Sequence, residues 1–202
     1  MRIISHRGNL DTKDVSNENT VHGIENALAE GYDVEIDLWF RKGEFWLGHD
    51  YPTTRVETEF LKNEKFWIHA KNLEALEAIQ KELPESNYFW HQNDDFTLTS
   101  KNFIWTYPEK KVGKNSIIVC LDFNQIDEAI KKDIAGICTD DPGYAASRLK
   151  TKVLEKQYED YVYECACVED TAVTFFEFAQ EHDKEFRDAR LRYHLHKNAI
   201  HD

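Results

Sequence analysis

Seven strand-type runs within the first 150 residues constrain this chain more than any other feature. They are Arg2 to His6, Asp33 to Phe40, Phe66 to Ala70, Tyr88 to His91, Asn102 to Tyr107, Ser116 to Leu121 and Ala135 to Thr139. Helix-type stretches lie between several of them. Strands that alternate with helices imply a mostly parallel sheet joined by right-handed crossovers. The natural closure is a TIM-type (β/α) barrel, and residues 1–150 are short for its eight-stranded form. The expectation is therefore a reduced α/β barrel in which some outer helices shrink to turns. The fourth-to-fifth and fifth-to-sixth connections are too short for full helices.

Local signals fill in the frame. Asn19 or Thr20 can cap a helix carrying Val21, Ile24 and Leu28, with Gly31 as its end signal. Asn72 can cap another with Leu73, Leu76, Ile79 and Leu83 on one face and Pro84 just past it. Gln125 to Lys132 reads as a short helix, and Asp140-Asp141-Pro142 as a cap followed by proline at the first helical position. Lys42-Gly43 is a turn signal, from which Glu44 to Gly48 returns as a short strand delivering His49. Asp94 to Ser100 reads as a polar connection. Residues 151–202 differ in composition and read as a helical C-terminal extension. There Asp170 can cap a long helix with Ala172, Phe175, Phe176, Ala179, Phe186, Ala189 and Tyr193 along one stripe. Such a stripe would pack on the barrel or make a homodimer. His194, His196 and His201 read as part of a polar tail.

The formal net charge of −13 disfavours general binding to nucleic acid or anionic lipid. Attraction to an anionic ligand must then be local: a metal, an Arg or a Lys. No apolar run reaches the length of a membrane span and no signal-peptide pattern opens the chain, so a cytoplasmic protein is expected. The four cysteines do not form a disulfide framework. Cys120 and Cys138 fall in apolar runs as small buried hydrophobes, and Cys165 and Cys167 lack a second Cys/His pair at metal spacing.

Within the second strand, Glu35 and Asp37 are two residues apart and share a face. In water at a sheet edge the pair is unremarkable. Facing a barrel interior, two carboxylates repel and lose hydration unless a cation sits between them. The surrounding motifs favour the second case. Ser5-His6-Arg7-Gly8, Glu18-Asn19-Thr20, Glu35-Ile36-Asp37, Gly48-His49-Asp50, His69-Ala70-Lys71 and Gly136-Ile137-Cys138-Thr139-Asp140-Asp141-Pro142 follow in that order.

This ordered set, from Ile3 to about Arg148, resembles the glycerophosphodiester phosphodiesterase family of the phospholipase-C-like phosphodiesterases. The resemblance implies a β/α barrel with its site at the C-terminal ends of the strands. It implies that Glu35 and Asp37 hold one divalent metal ion, that His6 and His49 are the catalytic acid/base pair, that Arg7 and Lys71 bind phosphate oxygens, and that Glu18 orients the basic residues. Those roles suit the chemistry, because attack on an anionic diester accumulates charge, one alcohol must lose a proton and the other must gain one. The implied activity is metal-dependent hydrolysis of a small-molecule phosphodiester, glycerol-based or carrying a sugar or lipid headgroup. In the family the attacker can be a neighbouring substrate hydroxyl, giving a cyclic phosphate that water then opens. Two alternatives stay open: a phospholipase-D-like lyase that stops at the cyclic phosphate, and a catalytically inactive barrel that binds a phosphorylated ligand.

Two departures from the family pattern matter. The family usually carries Glu two residues before the lysine as a third metal ligand, and here that place holds His69. Imidazole shifts preference from Mg²⁺ or Ca²⁺ toward Mn²⁺ or Zn²⁺, with Asp122 and His91 as reserve ligands. The family's insert after the His-Asp motif is also cut to Tyr51 to Lys65, which leaves Trp39, Trp46, Trp90, Trp105 and Tyr107 as candidates to line the mouth.

Overall fold

The computed structural model describes residues 1–167 together with Thr174, Phe175, Glu177 and Phe178. The chain divides into two compact units, Met1–Ala145 and Ala146–Asp202.

The strands of the first unit are β1 (Arg2–His6), β2 (Asp33–Arg41), β3 (Glu44–Leu47), β4 (Thr54–Val56), β5 (Phe66–Ala70), β6 (Asn87–Phe89), β7 (Phe96–Leu98), β8 (Ile104–Thr106), β9 (Ser116–Cys120) and β10 (Gly136–Thr139). Its helices are α1 (Val21–Ala29), α2 (Leu73–Glu82) and α3 (Phe123–Ile130), and α4 (Pro142–Cys167) begins in it. Strand β1 pairs in parallel with both β2 and β10, β2 with β5, β5 with β6, β10 with β9 and β9 with β8. Taken around the sheet, the parallel strands run β6-β5-β2-β1-β10-β9-β8. This is a reduced β/α barrel: the chain's first and last parallel strands are neighbours, and the curled sheet has its seam between the fourth and fifth. Across that seam the Ser100 amide donates to the Tyr88 carbonyl at 2.8 Å and Phe89 stacks on Trp105 at 4.6 Å.

Helices follow the first, third, sixth and seventh parallel strands, while the fourth and fifth are followed by the β7 hairpin strand and a loop. Thr20, Asn72 and Asp122 cap α1, α2 and α3 through side-chain oxygens that accept from Gly23, Ala75 and Gln125. Asp141 accepts from the Tyr144 amide at the start of α4, with Pro142 at its first turn. The Lys42-Gly43 turn has positive φ at both residues, the geometry that matches strand twist in a two-residue hairpin.

Alternation divides β2 and β5 cleanly. Val34, Ile36 and Leu38, with Phe66, Ile68 and Ala70, face outward and pack with Ile24 and Ala27 of α1 and Ala75 and Ile79 of α2. The other face of the sheet encloses Ile4, Trp67, Phe89, Trp105, Ile117 and Cys138. Glu35, Asp37 and His69 belong to that inner set. Each fully buried aliphatic side chain is worth about 1.5–3 kcal/mol, so the outer layer fixes the register that brings the polar inner residues together.

Several expectations need correction. The stretch Asp94 to Ser100 contains strand β7, antiparallel to β8; Phe96 and Leu98 are exposed, so no buried alternation marked it. Residues Tyr51 to Lys65 hold β4 and a 3-10 turn at Phe60–Lys62 rather than a bare connection. Leu73 is 60% exposed and does not join the buried face of α2, whose small Ala75 and Ala78 allow close approach to the sheet. The helix expected from Gln125 to Lys132 starts two residues earlier, because Asp122 is its cap. Trp105 belongs to the interior, not the mouth.

In the second unit α4 continues to Cys167, with Leu154 packed against Phe175 and with Tyr158 against Phe175 and Phe178. The cap at Asp170, the remaining stripe at Ala172, Phe176, Ala179, Phe186, Ala189 and Tyr193, and His194, His196 and His201 lie outside the described residues. No helix among the described residues is long and apolar enough to cross a membrane.

Candidate active site

Strand register assembles the site. In the β1–β2 ladder His6 pairs with Glu35, and in the β2–β5 ladder Asp37 pairs with His69. Because all four side chains are on the inner face, neighbours in the ladder become neighbours in space. Glu35 and Asp37 are 2% and 0% exposed. Burying an ion costs several kcal/mol even after relaxation, so two adjacent buried carboxylates demand positive partners.

Asp37 has them. Its Oδ2 lies 3.0 Å from Arg7 Nε and accepts from Asn19 Nδ2 at 2.9 Å. Its Oδ1 lies 3.0 Å from His69 Nδ1 and 3.1 Å from Lys71 Nζ. Burial works to raise its pKa, yet the contact with His69 and the charges of Lys71 and Arg7 hold it far below the usual carboxylate range. Glu35 is less well served. Burial and then the charge of Asp37 push its pKa up, and its Oε2 has no hydrogen-bond partner; His69 Nδ1 is 3.9 Å from its Oε1 and His6 Nε2 4.0 Å from its Oε2. Asp37 Oδ1 likewise has ion-pair neighbours without hydrogen-bond alignment.

The loops after β1 hold Arg7 in place. Arg7 has φ 57° and Asn19 φ 55°, left-handed conformations uncommon outside glycine. The Arg7 amide donates to the Glu35 carbonyl and the Asn19 amide to the Arg7 carbonyl. Asn19 also accepts from the Asp37 amide at 2.9 Å, so one side chain locks the loop to β2. Glu18 Oε2 accepts from Arg7 Nη1 at 3.1 Å. Gly8, at φ 86°, lies so close to the Gly23 backbone that a Cβ would force α1 away.

The two expected catalytic histidines sit in different surroundings. His6 Nδ1 is 2.7 Å from Asp140 Oδ1, leaving Nε2 directed toward Glu35. Burial tends to lower the His6 pKa, but the Asp140 hydrogen bond and the charge of Glu35 outweigh it and raise it. His49 is 42% exposed, with Nδ1 2.7 Å from Asp50. Burial, then Arg7 and Lys71, lower its pKa against the opposing charge of Asp37. The Gly48 amide donates to the Asp37 carbonyl, which ties the hairpin carrying His49 to the acidic pair.

Glu35, Asp37 and His69 offer ligand atoms all within 4.8 Å of one another. Two further observations fit a cation there: the orphaned Glu35 oxygen, and the way His69 is held. Its Nε2 faces the His91 carbonyl at 3.3 Å, and its ring lies against both Phe89 and His91, at 5.1 and 4.5 Å. With a cation in place, a proton on Nε2 donated to that carbonyl would leave the Nδ1 lone pair for the ion, the arrangement usual for a metal-binding histidine; without one, Nδ1 faces Asp37 Oδ1 as a proton donor. His91 itself is lowered to about 4 by burial and the nearby charges of His69 and Lys71. Asp122 is not near this cluster's work; its carboxylate caps α3.

Asp140 and Asn9 were not expected to serve the site. Asn9 is buried and donates to both Asp140 and Glu18, at 2.8 and 3.3 Å. The available signal for Asp140 was its position two residues beyond inward-facing Cys138, which puts it on the same face at the strand end.

No protein-family model matches the chain, and no curated protein matches it. Among solved structures it is similar to a glycerophosphoryl diester phosphodiesterase from Silicibacter pomeroyi DSS-3, at 11% identity over 75% of this chain and 93% of that one, with a TM-score of 0.45. It is also similar to a glycerophosphodiester phosphodiesterase from Agrobacterium tumefaciens str. C58, at 13% identity over 70% of this chain and 95% of that one, with a TM-score of 0.40.

Proposed function

We propose that the chain is a metal-dependent phosphodiesterase acting on a small-molecule phosphodiester. The observation that carries this is the inner-face cluster of Glu35, Asp37 and His69, flanked by Arg7 and Lys71 and by a His6 fixed on Asp140. Glu35, Asp37 and His69 would hold one divalent ion, whose chemistry there is to offset charge on the phosphoryl oxygens. Arg7 and Lys71 supply further positive charge beside the same point, aimed where negative charge develops. The two histidines have environments that push their pKa values apart, the pattern that separates acid from base. His6, raised by Asp140, is the proton donor to the leaving alkoxide. His49, lowered and open to solvent, takes the proton from the attacking hydroxyl. Asp140 keeps His6 in the tautomer that presents Nε2 to the substrate.

A barrel that binds a phosphorylated ligand without turning it over is the alternative, favoured by the cations already surrounding Asp37. A lyase that stops at a cyclic phosphate uses the same groups. Residues 151–202 we assign to a C-terminal extension that packs or makes a homodimer, with no part in the chemistry; its described part is α4 as far as Cys167. The test is turnover of a glycerol-based phosphodiester across a panel of divalent ions, with products followed by phosphorus NMR. Metal-dependent turnover lost in Glu35→Ala and in Asp37→Ala supports the proposal; a folded wild type that turns over no diester with any ion overturns it in favour of the binding barrel.

A further inference from the structure

Three of the segments that carry the acidic cluster and its neighbours continue into the walls of a second cleft. Strand β2 runs on past Asp37 to Arg41, and alternation keeps Trp39 and Arg41 on the face of Asp37. Pro52 lies just past His49, and Asn72 directly follows Lys71. Trp39, Arg41, Lys42, Pro52, Asn72 and Glu74 line a cleft of about 300 Å³, within the range of small-molecule pockets. Its walls are held by hydrogen bonds. Asn72 accepts from the Phe40 amide at 3.1 Å and donates to the Phe40 carbonyl at 2.9 Å, which clamps the start of α2 to β2. Trp39 Nε1 donates to the Gly48 carbonyl at 2.6 Å, so its one polar atom is engaged and the rest of the indole is an apolar wall.

Charge decides what such a cleft takes. Among the described residues, neither Arg41 nor Lys42 has a side-chain hydrogen bond or ion pair. Glu44, opposite Arg41 in the β2–β3 ladder, is held by Arg55 at 2.8 Å. The acid of the cleft, Glu74, accepts from Asn72 at 2.8 Å. In a chain of net charge −13, two adjacent cations against one engaged acid make a local positive excess, and it lies next to the segments that carry Asp37, His49 and Lys71.

We infer that this cleft binds a second anionic group of the ligand: one alcohol of the diester ends in a carboxylate or a phosphate monoester. With the diester beside Arg7 and Lys71, that alcohol runs along Trp39 toward the hairpin turn, where Arg41 and Lys42 meet its charge. Arg41 starts about 13 Å beyond Asp37 along the strand, so several atoms separate the two anions. A cationic alcohol is repelled there, which makes the cleft a device of selection as well as of affinity. The anion preference stands on the cleft; that the ligand is a substrate rests on the phosphodiesterase reading.

The experiment uses three soluble glycerophosphodiesters, whose second alcohol is γ-hydroxybutyrate, its primary amide, or butanediol monophosphate. Binding is read by calorimetry without added divalent ion, and kcat/KM with it. The wild type should hold the carboxylate diester at least about fivefold tighter than the amide, the scale of two partly exposed ion pairs. High salt should shrink the difference. The combined variant Arg41→Gln, Lys42→Asn should bind carboxylate and amide alike; Asn tolerates the left-handed backbone that Lys42 adopts at φ 54°, and thermal melting checks the fold. The tighter of the carboxylate and monophosphate diesters identifies the anion. A wild type that does not distinguish carboxylate from amide overturns the inference, and so does a preference that survives in the folded variant. If the binding preference follows the expected pattern while no diester is hydrolysed with any ion, the cleft stands and the phosphodiesterase reading alone falls.

Discussion

Asp37 is the residue on which the others converge: it touches Arg7, Asn19, His69 and Lys71, and its ladder partner is His69. The His69 imidazole in place of a carboxylate leaves the cluster one negative charge short and offers nitrogen to an ion. Mn²⁺ or Zn²⁺ should then support turnover better than Ca²⁺, and His69→Glu should move the preference toward Mg²⁺ and Ca²⁺. Metal titrations read by turnover and by calorimetry check this; an unchanged rank order in His69→Glu and His69→Ala removes His69 from the metal. The acid/base assignment has its own signature. His6→Ala should lower turnover of an alkyl diester by about 10²-fold yet spare an activated aryl ester, whose leaving oxygen needs no proton, whereas His49→Ala should slow both. The pH profile follows from the directions of the shifts. On the proposed assignment, with His49 unprotonated and His6 protonated in the active form, activity should fall as pH drops through the lowered His49 pKa and fall again as pH rises through the raised His6 pKa. Asp140→Asn removes what raises His6 and should draw the alkaline limb downward. A limb that stays in place separates Asp140 from His6.

At the scale of elements, the β2–β3 hairpin carries His49 to the site through Gly48. Gly48 has φ 145°, its amide donates to the Asp37 carbonyl, and its own carbonyl accepts from Trp39 Nε1 at 2.6 Å. A Cβ there would run into the Tyr51 carbonyl. Gly48→Ala should therefore destabilise by about 1–3 kcal/mol, the cost of backbone strain, and displace His49 enough to lower turnover by about 10²-fold. Thermal unfolding and kinetics on the same preparation check both parts. If stability falls while turnover is unchanged, the hairpin does not position His49. Strand β2 carries the greater share of the design. Its even positions anchor the outer apolar layer, and this anchoring keeps Glu35 and Asp37 pointed inward despite the cost of burying them.

For the whole first unit, the position of the seam matters most. Continuous ladders run from β6 through β1 to β8, but across the seam β6 is held by two bonds between Tyr88 and Ser100 of the β7–β8 turn, one backbone and one to the Ser100 hydroxyl, and by Phe89 stacking on Trp105 of β8. Few backbone bonds with exposed neighbours make a low-stability region. Amide hydrogen exchange should show β1, β2 and β10 protected to near the global limit and β6, β7 and β8 opening at lower free energy. Equal protection around the sheet would contradict a seam there. The site lies on β1, β2 and β5, away from the weakest pairings, so the ladder contacts that place His6, Glu35, Asp37 and His69 are those least prone to open.

The amino-acid sequence by itself determined the seven parallel strands, the caps at Asn72 and Asp141, the Lys42-Gly43 turn and the shared inner face of Glu35 and Asp37. Each of these is a local matter, set by period, capping chemistry or backbone conformation. It could not reveal β7, whose Phe96 and Leu98 are exposed and whose pairing is with a distant partner rather than with a pattern of its own. Only the tertiary structure decided that Leu73 leaves the buried α2 face for solvent, that Asp140 grips His6 across 134 residues, and that Asn19 locks Arg7 to β2. The reason is physical: register between strands far apart in the chain is fixed by how the outer apolar layer packs, and polar contacts on the inner face are the consequence of that register.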